Sequence, residues 1–243
     1  MAFAYPQVAL DWMLSGCGPS VLVLADSLAL SRTLINRGCR VITTNPDPAR
    51  LRTGLNTPLT LVAASAESLP FGDSKFDTVL VHQLFDTANP ALSLPEFARV
   101  LRPDGHLLIS HLGRDDSVPW VRRLAQVMRS IDRGAMTAPS PMDIVAPADR
   151  CRYFKGYSRT FRHWEPISRE SLIAMVGAVP AAHRLDEIGR QRLMTQVTAI
   201  HDQAAGNNAL RLPYTLICWR GQVIQDQFTS PISRDESGLI IKV

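Results

Sequence analysis

The chain has 243 residues, of which 46% are hydrophobic and 20% charged, with a formal net charge of +4. That size and mixture fit one sizeable globular α/β domain, and the mildly basic balance permits an acidic partner without requiring one. The 4 cysteines lie far apart with no Cys-x-x-Cys spacing, which argues against a bound metal and for a reducing, cytoplasmic location. We find neither a secretory signal nor an apolar run long enough to form a transmembrane segment.

The beginning of the chain alternates between helix and strand patterns. An amphipathic helix is predicted over residues 7–15, and the apolar run at 20–26 is typical of a parallel strand buried on both faces. Ser27 is a suitable N-cap for a helix over 28–37, and a second strand is predicted at 39–45.

The same alternation continues to residue 112. A short helix is predicted within 46–55 and a longer one over 88–101, while strands are predicted at 59–65, 76–85 and 106–112. Strands and helices that alternate at this spacing indicate right-handed βαβ units and therefore a parallel sheet.

The pattern changes after residue 112. Residues 133–166, rich in Pro, Arg and aromatic residues, are predicted to be an irregular insert. The remaining segments predict helices at 118–131, 168–179 and 189–204 and a late strand at 212–221.

We divide the chain into one domain and a tail. The domain spans residues 1–226 and includes the insert. The tail spans residues 227–243, in which 239–243 has the composition of a last strand.

Two segments carry a resemblance to a known family. They read AESLPFGDSKFDTVLVHQLF from residue 66 and EFARVLRPDGHLLIS from residue 96. Here the chain resembles class I S-adenosylmethionine (SAM) dependent methyltransferases of the type 11 branch. The matching residues are Glu67, Leu69, Pro70, Phe71, Phe76, Asp77, Arg99, Val100, Leu101, Pro103 and Gly105. The resemblance implies an α/β, class I methyltransferase (Rossmann-like) fold. Its mostly parallel seven-stranded sheet would have helices on both faces and SAM across the carboxyl ends of the first strands.

The resemblance also implies which positions would contact SAM. Where the family has three glycines after its first strand, this chain has Ala25, Ser27 and Ala29. The acid that takes the ribose hydroxyls is replaced by Asn45, and the adenine contact by Ser65. Asp26 would place a carboxylate beside that of the ligand's methionine part. The cofactor-binding candidates are Ala25, Asp26, Ser27, Asn45, Ser65, Ala66, Glu67 and His82.

These substitutions lead to two functional hypotheses. Each lost hydrogen bond costs about 1–3 kcal/mol, so several losses would weaken SAM binding by roughly three decades. This predicts a degenerate SAM site, and a pseudoenzyme with weak or lost catalysis that acts as a scaffold or regulator. The alternative is an active SAM-dependent methyltransferase acting on a small-molecule or lipid-like acceptor. A pocket refitted for a different ligand is a third possibility.

The fourth predicted strand ends at the candidate catalytic residue. His82 lies where the family's pocket receives the methyl acceptor, so its imidazole is a candidate general base. A hydrogen-bonded histidine without a catalytic role is the alternative. His111, near the end of the fifth predicted strand, is a weaker candidate.

Basic and aromatic residues are interleaved between 150 and 164 in the insert. The substrate or partner candidates are Arg152, Tyr153, Lys155, Tyr157, Arg159 and Trp164. Such an insert is consistent with a lid over an anionic substrate, a docking face for an acidic protein, or a membrane-surface contact. A covering loop with its aromatics packed on the sheet is the alternative. Nucleic acid is disfavoured because the basic charge is local and no nucleic-acid-binding module is present.

Overall fold

Strands and helices alternate along the first half of the chain, as the sequence predicts. The computed structural model describes residues 5–25, 28–52, 59–133, 141–205, 209–224, 233–235 and 238–240. The helices are α1 Gln7–Leu14, α2 Ala29–Asn36, α3 Pro48–Arg52, α4 Pro90–Val100, α5 Pro119–Ile131, α6 Pro141–Asp149, α7 Arg169–Gly177, α8 Pro180–His183 and α9 Glu187–Ala205. The strands are β1 Ser20–Ala25, β2 Arg40–Asn45, β3 Thr60–Ala63, β4 Phe76–His82, β5 Leu101–Arg114, β6 Phe154–Pro166, β7 Arg211–Val223, β8 Ser233–Asp235 and β9 Gly238–Ile240.

One sheet organises the fold. It is seven-stranded, in the order β3-β2-β1-β4-β5-β7-β6. The β1–β2, β1–β4, β2–β3 and β4–β5 pairs are all parallel. Every residue of β1 after Ser20 is buried, as expected for a strand covered on both faces. The mostly parallel seven-stranded sheet of the class I Rossmann-like fold is therefore confirmed.

The chain divides into two compact units. The first comprises Met1–His111, Pro141–Arg159 and Ile217–Val243, and the second comprises Leu112–Ser140 and Thr160–Leu216. The core of the first unit includes the fully buried side chains of Phe97 and Trp219. The core of the second unit joins α5, α7 and α9 through buried residues that include Leu124, Leu172 and Val197.

The family motif residue Arg99 fastens the loop between β3 and β4. Its guanidinium donates to the carbonyls of Leu69 at 3.1 Å and Phe71 at 2.7 Å. It also pairs with Asp73 at 2.9 Å and Glu96 at 2.8 Å. Glu96 in turn accepts a hydrogen bond from the Leu69 amide at 2.9 Å. These bonds satisfy the loop backbone, so Arg99 has a structural role that does not depend on a ligand.

The motif residue Asp77 joins the beginnings of three strands. Its carboxylate accepts a hydrogen bond from the Ser20 amide at 2.9 Å and pairs with Arg102 at 2.5 Å. A Cβ at Gly18 would lie 2.5 Å from the Asp77 Cγ, so only glycine fits at that position in the turn before β1.

The helix α1 is tied to β7. The buried guanidinium of Arg220 donates to the carbonyls of Trp12 at 2.9 Å and Ser15 at 2.7 Å. Trp12 belongs to the last turn of α1 and Ser15 is its C-cap residue, at the helix end where backbone carbonyls lack internal partners. The positive charge of Arg220 also complements the negative end of the helix.

The prediction of an irregular insert at 133–166 is wrong for most of the part that the structure describes, residues 141–166. Residues 141–149 form α6, residues 154–166 form the edge strand β6, and residues 134–140 lie outside the described residues. Strand alternation was hidden because the half-buried positions Phe161, His163 and Glu165 are not uniformly apolar. The seventh strand of the sheet is therefore β6, and not a strand of the tail.

Two further segments differ from their predictions. The segment 102–105, predicted as a turn between a helix and a strand, lies inside β5. The turn survives as a local irregularity, because Asp104 has a φ of 63° and the β4–β5 register shifts between Phe76 and Thr78. In the tail, β9 pairs antiparallel with β8 in a separate two-stranded sheet, and residues 241–243 lie outside the described residues.

Candidate functional site

The carboxyl ends of the parallel strands form a row at one edge of the sheet. Ala25 lies opposite His82, which lies opposite Ser110, and Asn45 lies opposite Ala63. The cofactor candidates on β1, β2 and β4 are thus brought together. In open α/β sheets this edge is the usual place for a ligand.

Asn45 connects the ends of β1 and β2. Its side-chain amide donates to the Ala25 carbonyl at 3.0 Å, and its oxygen accepts from the Asp47 amide at 2.8 Å. The residue is only 2% exposed. Asp47 does not reach back, because its own carboxylate accepts a hydrogen bond from the Ala49 amide at the start of α3, at 2.9 Å. Asn45 therefore holds the strand ends in register.

The segment after β3 links its polar side chains to one another and to α4. The Ser65 hydroxyl donates to the Glu67 carboxylate, which also accepts a hydrogen bond from the Asn89 amide at 2.8 Å. Asn89 caps α4, accepting from the Ala91 amide at 3.1 Å. The Ser65 hydroxyl, and then the Asn89 amide, lower the pKa of Glu67. Ser65 and Glu67 thus present a charged, ordered group beside the buried Ala66.

His82 lies in a buried cluster with two hydroxyl side chains. Its Nδ1 is 3.0 Å from the Ser110 Oγ, and its ring packs edge-on against Tyr5, with 5.4 Å between centroids. The Tyr5 hydroxyl lies 3.9 Å from the Cys218 Sγ. Burial raises the pKa of this Tyr5 hydroxyl. Sequence reasoning missed Tyr5, because it precedes α1 and no local pattern indicates a contact with β4.

Burial makes the imidazole of His82 a weak base. Burial lowers its pKa from 6.5 to about 4, and the nearby imidazole of His111 also lowers it. A neutral imidazole of such low basicity, with Nδ1 beside a hydroxyl, holds a proton poorly at neutral pH. His82 is better suited to orienting Tyr5 and Ser110.

His111 presents a different environment at the end of β5. Its Nδ1 is buried and has no hydrogen-bond partner among the described residues. Burial lowers its pKa, an effect that the carboxylate of Asp86 opposes. An unpartnered buried nitrogen normally costs free energy unless a ligand or water satisfies it.

The low pKa of His82 predicts a pH-dependent stability. The unfolded protein takes up a proton near pH 6.5, whereas the folded protein resists protonation until about pH 4. The stability that His82 contributes is therefore present above pH 6.5 and is lost as the pH falls towards 4. We expect urea denaturation to show that the free energy of unfolding falls more steeply over this pH range for the parent than for His82→Asn. The asparagine keeps a polar atom near Ser110. Equal slopes for both proteins would contradict the assignment.

The substrate or partner candidates lie before and along β6. Lys155, Tyr157 and Arg159 occupy alternate positions in the first part of the strand and share one face. Trp164 lies in the second part, where it alternates with the half-buried His163 and Glu165. All four candidates within the strand are exposed.

Arg152 and Tyr153 precede β6 and interact with each other. The Arg152 guanidinium lies 5.2 Å from the centre of the Tyr153 ring, a cation–π contact. Further along, the Tyr157 ring packs edge-on against Trp12 of α1, with 5.5 Å between centroids.

The described part of the chain bears on metal-ligand clusters and on membrane-spanning helices, but not on two of the cofactor candidates. The candidates Asp26 and Ser27 lie outside the described residues. Within the described ranges, no group of three or more His, Cys, Asp or Glu side chains is arranged to hold a metal ion. Nor does any helix in these ranges combine the length and apolar character needed to cross a membrane.

Sequence comparisons identify relatives along nearly the whole chain. A family model described as a methyltransferase domain matches residues 16–109. An uncharacterized methyltransferase of Mycobacterium tuberculosis is 33% identical over 231 residues, covering 89% of this chain and 88% of that protein. A demethylmenaquinone methyltransferase of the same species is 32% identical over 128 residues, covering 51% of this chain and 55% of that protein.

Solved structures resemble the fold over a similar extent. A protein provisionally assigned as a type II methyltransferase, from Anaeromyxobacter dehalogenans, matches with a TM-score of 0.65 at 15% identity, covering 91% of this chain and 97% of that one. A protein assigned in the same provisional way to an antibiotic biosynthesis pathway, from Anabaena variabilis, matches with a TM-score of 0.62 at 14% identity, covering 87% and 94%. At these identities the similarity shows the fold alone.

Proposed function

Because this chain belongs to the methyltransferase family, we propose that it is an active SAM-dependent methyltransferase with a small-molecule acceptor. The observation that carries the proposal is the 33% identity to a methyltransferase over 231 residues. That similarity extends well beyond residues 16–109, which the family model matches. The row of polar groups at the carboxyl ends of the strands supports it.

The described residues fit SAM in their chemistry. Ala25, which replaces a family glycine, is only 1% exposed, so its methyl group is packed inside the protein. Ser65 and Glu67 offer hydrogen-bonding groups on the adenine side. The buried Nδ1 of His111 lacks a partner among the described residues, as expected of a group that contacts a ligand.

Each residue has a distinct role in this proposal. SAM, when bound, supplies an electrophilic methyl group. Ser65 and Glu67 bind SAM on its adenine side. Asn45 holds the ends of β1 and β2 in position. His82 orients the side chains of Tyr5 and Ser110. His111 Nδ1 accepts a hydrogen bond from the acceptor's nucleophilic group.

A second candidate function keeps the family fold without the chemistry. Its support is Asn45, whose oxygen and amide are both engaged by backbone groups where the family has an acid for the ribose. In that case the protein binds SAM weakly or not at all and acts as a scaffold or regulator.

Calorimetric titration with SAM and S-adenosylhomocysteine separates the two candidates. We expect binding at ~micromolar concentrations for the parent protein and a loss of at least about tenfold for Ser65→Leu, since a lost ligand contact costs about 1–3 kcal/mol. Ser65→Leu places an apolar side chain at the carboxyl edge of the sheet.

The matched control is Ser68→Leu, at the exposed residue that pairs with Ser65 in an isolated β-bridge. Ser68→Leu should bind SAM within about twofold of the parent. Absence of heat with millimolar SAM for the folded parent would overturn the enzyme proposal and favour the second candidate.

A further inference from the structure

An exposed apolar cluster links α1 with β6. Val8 is 66% exposed and Tyr157 is 59% exposed. Trp12 lies one helical turn after Val8, on the same face of α1, and packs against the Tyr157 ring at 5.5 Å. These side chains form one surface, although they are far apart in the sequence.

Positive charges flank this cluster. Lys155 and Arg159 lie two residues on either side of Tyr157, so all three share one face of β6, and both basic residues are exposed. The acid of α1, Asp11, is paired with Arg37 at 2.7 Å. We name Val8, Trp12, Lys155, Tyr157 and Arg159 the aromatic patch, and its charge is positive.

We propose that the aromatic patch is a contact surface for an anionic membrane. Trp and Tyr prefer the interface between lipid and water, where one end of each ring is apolar and the other is hydrated. The exposed aliphatic side chain of Val8 can insert among the lipids. The flanking Lys155 and Arg159 are attracted to anionic headgroups.

The position of the patch on the sheet indicates that the side-chain face of β6, and not its free backbone edge, is the contact surface. β6 is the last strand of the described sheet. Lys and Arg on an edge strand discourage pairing with another strand, so addition of a partner's strand is disfavoured. A positive face with aromatic residues suits an anionic lipid surface. The proposal is independent of whether the protein binds SAM.

Vesicle co-sedimentation of the full chain tests the proposal. We expect binding to vesicles of phosphatidylcholine with roughly one third phosphatidylglycerol, little binding to pure phosphatidylcholine, and weaker binding at raised NaCl. The double variant Tyr157→Ser/Arg159→Glu should partition at least about tenfold less. Tryptophan emission should shift to shorter wavelength with anionic vesicles, and Trp12→Phe should remove the shift.

The second part of β6 provides the matched control. Arg162→Glu/Trp164→Ser makes the same charge change and also removes one exposed aromatic. It should bind within about twofold of the parent. The proposal is overturned if the parent ignores anionic vesicles, if it binds both vesicle types equally, or if both double variants lose binding alike. Binding to soluble polyglutamate without binding to vesicles also overturns it, in favour of an acidic protein partner.

Discussion

Trp219→Ala is expected to lower the free energy of unfolding by about 3–5 kcal/mol, as measured by urea denaturation. Trp219 is fully buried, its Nε1 donates to Asp149 at 3.0 Å, and its ring meets Phe154 edge-on at 6.4 Å. A Cβ at Gly156 would lie 2.4 Å from the ring, so the backbone of β6 approaches it closely. Removing the indole leaves a cavity that these neighbours cannot fill without moving β6.

The chain contains a suitable control for this substitution. Trp164 lies on the same strand as Gly156 but is 44% exposed, so Trp164→Ala should change the unfolding free energy by less than about 1 kcal/mol. If Trp219→Ala does not fold, Trp219→Phe should still fold, with a loss of unfolding free energy smaller than that expected for Trp219→Ala. A cost below about 1 kcal/mol for Trp219→Ala would contradict its position in the core.

Asn45→Asp, which restores the family's acid, is expected to destabilise the protein by about 3 kcal/mol at neutral pH. The side-chain nitrogen that donates to the Ala25 carbonyl would become an oxygen, so two acceptors would face each other at a site only 2% exposed. Burial and the Ala25 carbonyl would raise the folded-state pKa of the new carboxyl above its unfolded value of about 3.9.

The sign of the pH effect follows from that raised pKa. The protonated carboxyl can donate to Ala25, so its favourable contribution is present below the unfolded pKa of about 3.9 and is lost as the pH rises through the folded pKa. Chemical denaturation should therefore show a deficit for Asn45→Asp that grows from about pH 4 to pH 7. Asn45→Ala, which has no titrating group, should show a constant deficit. A pH-independent deficit for Asn45→Asp would exclude this role of the amide.

The central strands could be predicted because burial on both faces demands continuous apolar residues. β1 illustrates this, since every residue after Ser20 is buried. β6 could not be predicted in the same way. Its less exposed positions include His163 and Glu165, which satisfy each other at 2.7 Å, so polar residues occupy positions where a strand pattern needs apolar ones.

The candidate site was predictable in its location but less so in its contacts. His82 could be identified because it ends a buried strand, whereas its contact with Tyr5 depends on long-range packing. Asn45 was interpreted as a lost ligand contact. Its hydrogen bond to Ala25 depends on the register of β1 and β2, which local sequence does not specify.

The tie between α1 and β7 bears on how the chain matures during synthesis. Arg220, which binds carbonyls at the end of α1, follows Trp12 by 208 residues, and Cys218, which lies against Tyr5, follows that tyrosine by 213 residues. The helix must therefore wait for the synthesis of about 200 further residues before it gains these anchors.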